Sequence, residues 1–127
     1  MADPIAASLH AAGDGMTAQS LRLRTINENL SNVDTPGYQR KLVSFQSFMN
    51  DRVVDIGDLS LDKSDGRQVL DPGHPMADDN GYVTLSNVDM LVEVTDAREA
   101  KRHFDANLEA FRQAREMYSG LLSLLRR

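Results

Sequence analysis

From Ser86 to Leu125 the chain reads SNVDMLVEVTDAREAKRHFDANLEAFRQAREMYSGLLSLL, and this stretch decides the fold. Met90, Val94, Ala97, Phe104, Leu108, Phe111, Tyr118, Leu122 and Leu125 fall on a ladder of alternating four- and three-residue steps. Lys101 and Arg115 fill the remaining rungs, where long stems can lie along apolar surface while the charge reaches water. Such a stripe is the narrow seam of a helix that pairs with another helix. Ser86-Asn87-Val88-Asp89 fits a capping box, with Asp in place of the usual Glu. No proline follows Pro75, and Gly120 is the only glycine in the run. At 1.5 Å per residue the helix would span roughly 55–60 Å. A helix of that length cannot bury its whole seam against one shorter partner in the same chain, so part of it is left for other chains.

The partner lies at the other end. Between Asp3 and Ser31, the apolar residues Ile5, Leu9, Ala12, Met16, Leu23, Ile26 and Leu30 keep the same spacing, interrupted only by Gln19. Asp3-Pro4 is a sound start, Asp as cap and Pro at the first helical position. Gly13 and Gly15 each cost about 1 kcal/mol relative to Ala in a helix interior. They leave two alternatives: a separate short first helix, or a helix that forms when partners cover it.

Between the helices the composition changes. Leu42-Val43-Ser44-Phe45 alternates like a short strand. Residues 67–70 and 82–85 could pair as a hairpin across Asp71 to Gly81. Asn50 to Asp65, with many aspartates and few large apolar groups, reads as a solvated loop. The fold class expected is mainly α. Long N- and C-terminal helices pair as an antiparallel coiled-coil-like layer, with a small β-rich insert between them. One domain of 1–127 divides into a helix over 1–31, an insert over 32–86 and a helix over 87–127.

Composition narrows the function classes. The 127 residues carry 41% hydrophobic and 6% aromatic side chains and no Trp. That is thin for a self-sufficient globule and too rich for a wholly disordered chain. A net charge of −5 gains little from phosphate neutralisation, so nucleic acid is not the expected partner. With no cysteine, disulfides, thiolate zinc sites and thiol nucleophiles are excluded. No cleavable secretory signal opens the sequence, and no apolar run is long enough for membrane insertion.

Catalytic and metal readings find little. His10, His74 and His103 lie in three different zones without ligand spacing. Aligning Gly66 with the sixth position of a calcium loop puts Leu61, Lys63 and Pro72 where oxygen donors are required. No phosphate loop or nucleophile elbow occurs. Asp78-Asp79 beside Asn80-Gly81 is a charged turn. Arg112, Arg115, Arg126 and Arg127 alternate with Glu109 and Glu116, the pattern of a solvated helix face. The chain reads as neither an enzyme nor the holder of a cofactor or metal.

Two segments say more. Residues 29–38 (NLSNVDTPGY) end the first helix and reverse the chain. Asn29 and Asn32 can satisfy free backbone groups there. Pro36 disfavours helical geometry at Thr35, and Pro36-Gly37 suits the centre of a type II turn before Tyr38. Residues 71–83 (DPGHPMADDNGYV) include Pro72, Pro75, Gly81 and Tyr82 and read as a tight double turn leading into a strand.

Together these segments resemble a known family. Asn29 to Tyr38 is similar to the N-x-x-N-x-x-T-P-G-Y signature of bacterial flagellar axial proteins, the rod and hook subunits. Asp71 to Val83, followed by Asn87-Val88, resembles the P-x-x-P-x-A-D-x-x-G-Y-V … N-V segment of the proximal rod members. Ala100, Arg102, Phe104 and Asn107 match their A-x-R-x-Y-x-x-N, with Phe104 replacing Tyr and so removing a hydroxyl. The compact 33–38 loop also resembles a sister proximal rod subunit. The resemblance implies a structural rod subunit, exported through the flagellar type III apparatus without signal cleavage and assembled across the periplasm as a helical drive shaft. The implied partners are copies of itself, other rod proteins, the export apparatus and the adaptor joining rod to membrane ring. Two other classes stand beside it: a coiled-coil regulatory or adaptor module unrelated to flagella, and an enzyme with its site in the insert. Because a lone monomer would expose the apolar stripes, the terminal segments are expected to be largely disordered until neighbours cover them.

Overall fold

The computed structural model describes residues 3–47 and 54–126. The element order is α1 (Pro4–Ser31), β1 (Lys41–Ser47), β2 (Val54–Leu61), β3 (Gln68–Leu70), β4 (Tyr82–Thr84) and α2 (Met90–Leu125). The 28-residue α1 and 36-residue α2 form the most extensive contact in the molecule. Two small antiparallel sheets, β1 with β2 and β3 with β4, make up the insert. The molecule is mainly helical with a β-rich middle.

α1 starts where its cap dictates. The Asp3 carboxylate accepts the Ile5 N–H at 2.9 Å, and Pro4 occupies the first turn, where its missing N–H costs nothing. The helix runs unbroken through Gly13 and Gly15 to Ser31. It ends at Asn32, whose N–H donates to Asn29 O at 3.1 Å. Thr35 O then accepts the Tyr38 N–H at 3.2 Å across a turn in which Gly37 has φ of +75°. A side chain at Gly37 would be strained in that left-handed region, as a type II turn requires.

α2 begins at Met90, three residues later than the capping-box reading placed it, and its cap is Asp89, which accepts the Leu91 N–H at 2.9 Å. Ser86 and Asn87 are committed elsewhere. The Ser86 hydroxyl donates to Val33 O, and the Asn87 side chain holds Arg40 N, Asp62 O and Ser64 O. A residue so engaged with the insert cannot also open the helix.

β3 and β4 pair from Gln68 opposite Thr84 to Leu70 opposite Tyr82, the expected hairpin. Its connection contains three successive reverse turns: Asp71 O to His74 N, His74 O to Ala77 N, and Asp78 O to Gly81 N. The solvated loop expected over Asn50–Asp65 needs correction. Residues 54–61 form β2, which pairs with β1 from Ser47 opposite Val54 to Lys41 opposite Leu61, with a register shift between Val43 and Phe45. Residues 50–53 of that expected loop lie outside the described residues, as do Met1, Ala2 and Arg127 at the domain ends. Aspartates disfavour strand locally, but β2 is held by a cross-strand ladder, and a ladder tolerates polar side chains on its open face.

The helix contact has a register of its own. Asn29 meets Glu93, Arg22 lies beside Asp96 and Glu99, and Gly15 abuts Asn107. Residue numbers therefore fall along α1 as they rise along α2. The buried positions are Ala12, Ala18, Thr25, Ile26 and Asn29 on α1, with Glu93, Ala100 and Ala114 on α2. On both helices the line of closest approach thus lies mostly one position before the large apolar stripe. Small residues let the backbones approach. A Cβ on Gly15 would stand 2.7 Å from the Asn107 amide.

Candidate assembly interface

Two features emerge from this packing: a polar joint that fixes the insert to the helices, and an apolar ridge that the described residues cover only in part. The joint centres on Asn29, 1% exposed in the last turn of α1. Its amide oxygen accepts the Lys41 N–H and the Tyr38 hydroxyl, both at 2.9 Å. Its amide nitrogen donates to Lys41 O at 3.0 Å and reaches Glu93 at 3.4 Å. The side chain thereby pairs with the Lys41 backbone in both directions, as a neighbouring strand would. Asn32 donates to Glu28 O at 2.8 Å and accepts the Thr35 hydroxyl at 3.1 Å. The Gly37 N–H donates to Thr84 O at 3.1 Å, tying the turn to β4.

Glu93 sits at the bottom of this joint, fully buried. It is paired with the Arg40 guanidinium, which also reaches Asp96 at 3.1 Å. Burial, followed by the Glu28 carboxylate, pushes the Tyr38 phenol up from its ordinary value. The hydrogen bond to Glu28 pushes the Lys41 ammonium up. The backbone hydrogen bond from Ser64 holds the Asp62 carboxyl below its ordinary range.

The structure therefore brings Asn29, Asn32, Thr35, Pro36, Gly37, Tyr38 and Asn87 together at one end of the helix pair. Pro72, Pro75, Gly81 and Tyr82 lie apart, at the tip of the β3–β4 hairpin. Gly81, with φ of +83°, packs against Pro72, while Pro72, Pro75 and Tyr82 are exposed. Arg40 and Glu93 carry the joint without a signal in the sequence, and Ser86, which reads as a helix cap, serves it instead by its bond to Val33 O. Arg40 and Glu93 stand 53 residues apart, so neither has a local signal.

The ridge is the stripe the periodicity picked out. Ile5, Leu9, Met16, Leu23, Leu30, Phe104, Asn107, Leu108 and Phe111 are half-buried, and Ile26 is buried. Met90, Val94, Arg102, Tyr118, Leu122 and Leu125 are exposed. Leu23, Leu30, Val94, Ala97, Lys101 and Phe104 line an open groove of about 490 Å³ along the side of the helix pair. Moving fourteen residues down α1, from Asn29 to Gly15, moves fourteen up α2, from Glu93 to Asn107. Pro4, a further eleven down, is level with Tyr118. The last seven residues of α2, Ser119 to Leu125, extend about 10 Å past the start of α1. That overhang carries Leu121, Leu122, Leu124 and Leu125, the last two 65% and 83% exposed.

The sequence of both helices is similar to that of known proteins. The family described as "Flagella basal body rod protein" matches residues 9–39, which cover most of α1 and the turn to Tyr38. The family described as "Flagellar basal body rod FlgEFG protein C-terminal" matches residues 79–124, from the hairpin tip through α2. A flagellar basal-body rod protein FlgC from Agrobacterium fabrum (strain C58) is 42% identical over 136 residues, spanning 98% of this chain and 97% of its own. The chain belongs to the FlgC family of flagellar basal-body rod proteins. More distant FlgC relatives also match along most of their length. The one from Escherichia coli O6:H1 is 32% identical across 89% of this chain and 92% of its own. The one from Bacillus subtilis (strain 168) is 30% identical across 92% and 95%. The FlgC family is one of structural rod proteins and not an enzyme family. These matches do not favour the sister rod subunit or an unrelated adaptor. Among the described residues no cluster of three or more His, Asp or Glu could hold a metal ion, and no helix is long and apolar enough to cross a membrane.

Proposed function

We propose that this structural rod subunit builds the basal-body rod by burying its helical ridge against copies of itself and other rod proteins. The observation that carries the reading is the overhang. Leu121, Leu122, Leu124 and Leu125 stand past the start of α1, where among the described residues no other element is laid on them. Exposed apolar groups gain about 0.8 kcal/mol per CH₂ when covered, so neighbouring subunits have a strong reason to seat there. α1 and α2 act as one antiparallel, coiled-coil-like layer of a single domain spanning 1–127, and the insert faces away from it. Ile5, Leu9, Met16, Leu23, Leu30, Val94, Phe104, Leu108, Phe111, Tyr118, Leu122 and Leu125 supply the contact surface. The residues of the 29–38 motif, with Ser86 and Asn87, hold the insert in place, and those of 71–83 shape the tip of its hairpin. Export by the flagellar type III apparatus without a cleaved signal, assembly across the periplasm as part of the drive shaft, and contact with the rod–ring adaptor belong to the same reading. Ordering on assembly is then confined to the uncovered helix ends, since the middle of the pair packs on itself.

The test replaces Leu121, Leu122 and Leu125 together by Ser in the organism's own gene. The expected result is a stably accumulated, helical protein, loss of swimming and basal bodies that lack a complete rod. Normal motility with intact rods would refute the reading.

A further inference from the structure

The helix pair has a choice of register. On α2 the contact line is Glu93, Ala100, Asn107 and Ala114, an unbroken seven-residue repeat; on α1, Gly15, Arg22 and Asn29 repeat likewise, as do Ala18 and Thr25. Sliding α2 by one heptad would set Ala100 against Asn29 and Ala114 against Gly15. Asn107 would face Arg22, and the small and polar character of the middle of the contact line would be kept. Pro4 would become level with Leu125, so α1 would cover the apolar overhang. The slide would also carry Leu91, Val92 and Val94 past the end of α1, so it exchanges one apolar stretch of α2 for another and apolar burial by itself does not fix the observed register.

What opposes the slide is polar. Glu93 is fully buried, held by Arg40 and by Asn29 at 3.4 Å. Arg40 is a fixed point of the insert: its N–H is bound by Asn87 at 2.6 Å, and Asn87 is itself bound to Asp62 O and Ser64 O. Asp96, held by Arg40 at 3.1 Å and Arg22 at 3.8 Å, adds to the clamp. A heptad shift would carry Glu93 about 10 Å from Arg40 and strip both of their partners. A buried polar contact of this kind specifies register even where it adds little net stability.

We infer that Glu93, clamped by Arg40 and Asn29, is a register latch that stops α2 sliding one heptad along α1 and so keeps the last two turns of α2 open to a neighbouring rod subunit. Its purpose rests on the assembly reading above, but the register itself can be read on the isolated full-length chain. The protein has no cysteine, so Asn27→Cys and Gln113→Cys, both at exposed positions, accept spin labels at unique sites. Residue 27 is level with residue 95 in the observed register, which sets the labels about 27 Å apart along the helix axes.

The expected result is one dominant distance in the otherwise native chain, retained in Glu93→Gln, which keeps an oxygen for Arg40. Glu93→Ala should show a second population shortened by about 10 Å along the axis with helical circular dichroism preserved. Arg40→Met, which releases the clamp from the insert side, should give the same population. A broad distribution in the native chain, an unshifted or lengthened distance in both releasing variants, or loss of helix in both would overturn the latch. Rod assembly by the triple-serine variant would refute the assembly reading and leave the distance result standing.

Discussion

Asn29→Ala tests the joint most directly. The side chain makes three well-formed hydrogen bonds, two to the Lys41 backbone and one from the Tyr38 hydroxyl, and a longer one to Glu93. At about 1 kcal/mol net for each of the three, the loss is about 3 kcal/mol. The Lys41 N–H and C=O are left without their partner, which adds about 1 kcal/mol because Lys41 is only half-buried and water can partly replace the amide. Ala gains about 0.5 kcal/mol over Asn in helix propensity, so the net cost is about 3–4 kcal/mol. Tyr38→Phe should cost about 1 kcal/mol in the native background and close to nothing once Asn29 is Ala, a coupling of about 1 kcal/mol. Urea unfolding followed by helical circular dichroism measures all three variants. A cost for Asn29→Ala below about 1 kcal/mol, or strict additivity with Tyr38→Phe, would refute the idea that this amide substitutes for a strand.

The two glycines of α1 should respond in opposite ways. Nothing lies within 4 Å of a Cβ built on Gly13, so Gly13→Ala should raise stability by up to about 1 kcal/mol, whereas Gly15→Ala meets the Asn107 amide at 2.7 Å and should lose that gain or reverse it. Thermal melts of the two variants decide, and equal gains would mean the helices do not approach there. Tyr38 and Lys41 both have folded values above the ordinary 10.0 and 10.5, so each keeps its proton longer in the folded chain. Their contribution is complete below about pH 10 and is lost as pH rises through the folded values, so melting temperature should fall above pH 10, and less steeply in Tyr38→Phe with Lys41→Met. Leu125→Ser, at a site 83% exposed, should change the isolated chain's stability by under about 0.5 kcal/mol while weakening swimming in a plate assay.

The helices and the chain reversal after the first of them were legible from local chemistry. A cap at Asp3, Pro4 behind it, a ladder of threes and fours, and Pro36-Gly37 before Tyr38 each act within one or two turns of their own position, so reading neighbours suffices. The β3–β4 hairpin was legible for the same reason, since Gly81 and the prolines before it dictate a turn between two apolar runs. β2 was not, because its polar residues are held by hydrogen bonds to β1 rather than by their own preference. Nor was the start of α2, where Ser86 and Asn87 offer helix caps in the sequence but are recruited by Val33, Arg40, Asp62 and Ser64 in the fold.

The sequence by itself determined that two amphipathic helices enclose a β-rich insert and that their apolar stripes exceed what one chain can cover, because periodicity and length are properties of the chain alone. Only the tertiary structure decided which line of each helix faces the other. The pair closes on Gly15, Ala18, Thr25, Ala100 and Ala114, since small side chains permit the closest backbone approach. The larger residues beside them are left half-covered, with a ridge of leucines at the end of α2. Buried Glu93 meets Arg40 across 53 residues of sequence, a pairing that exists only once the insert has docked on the helices.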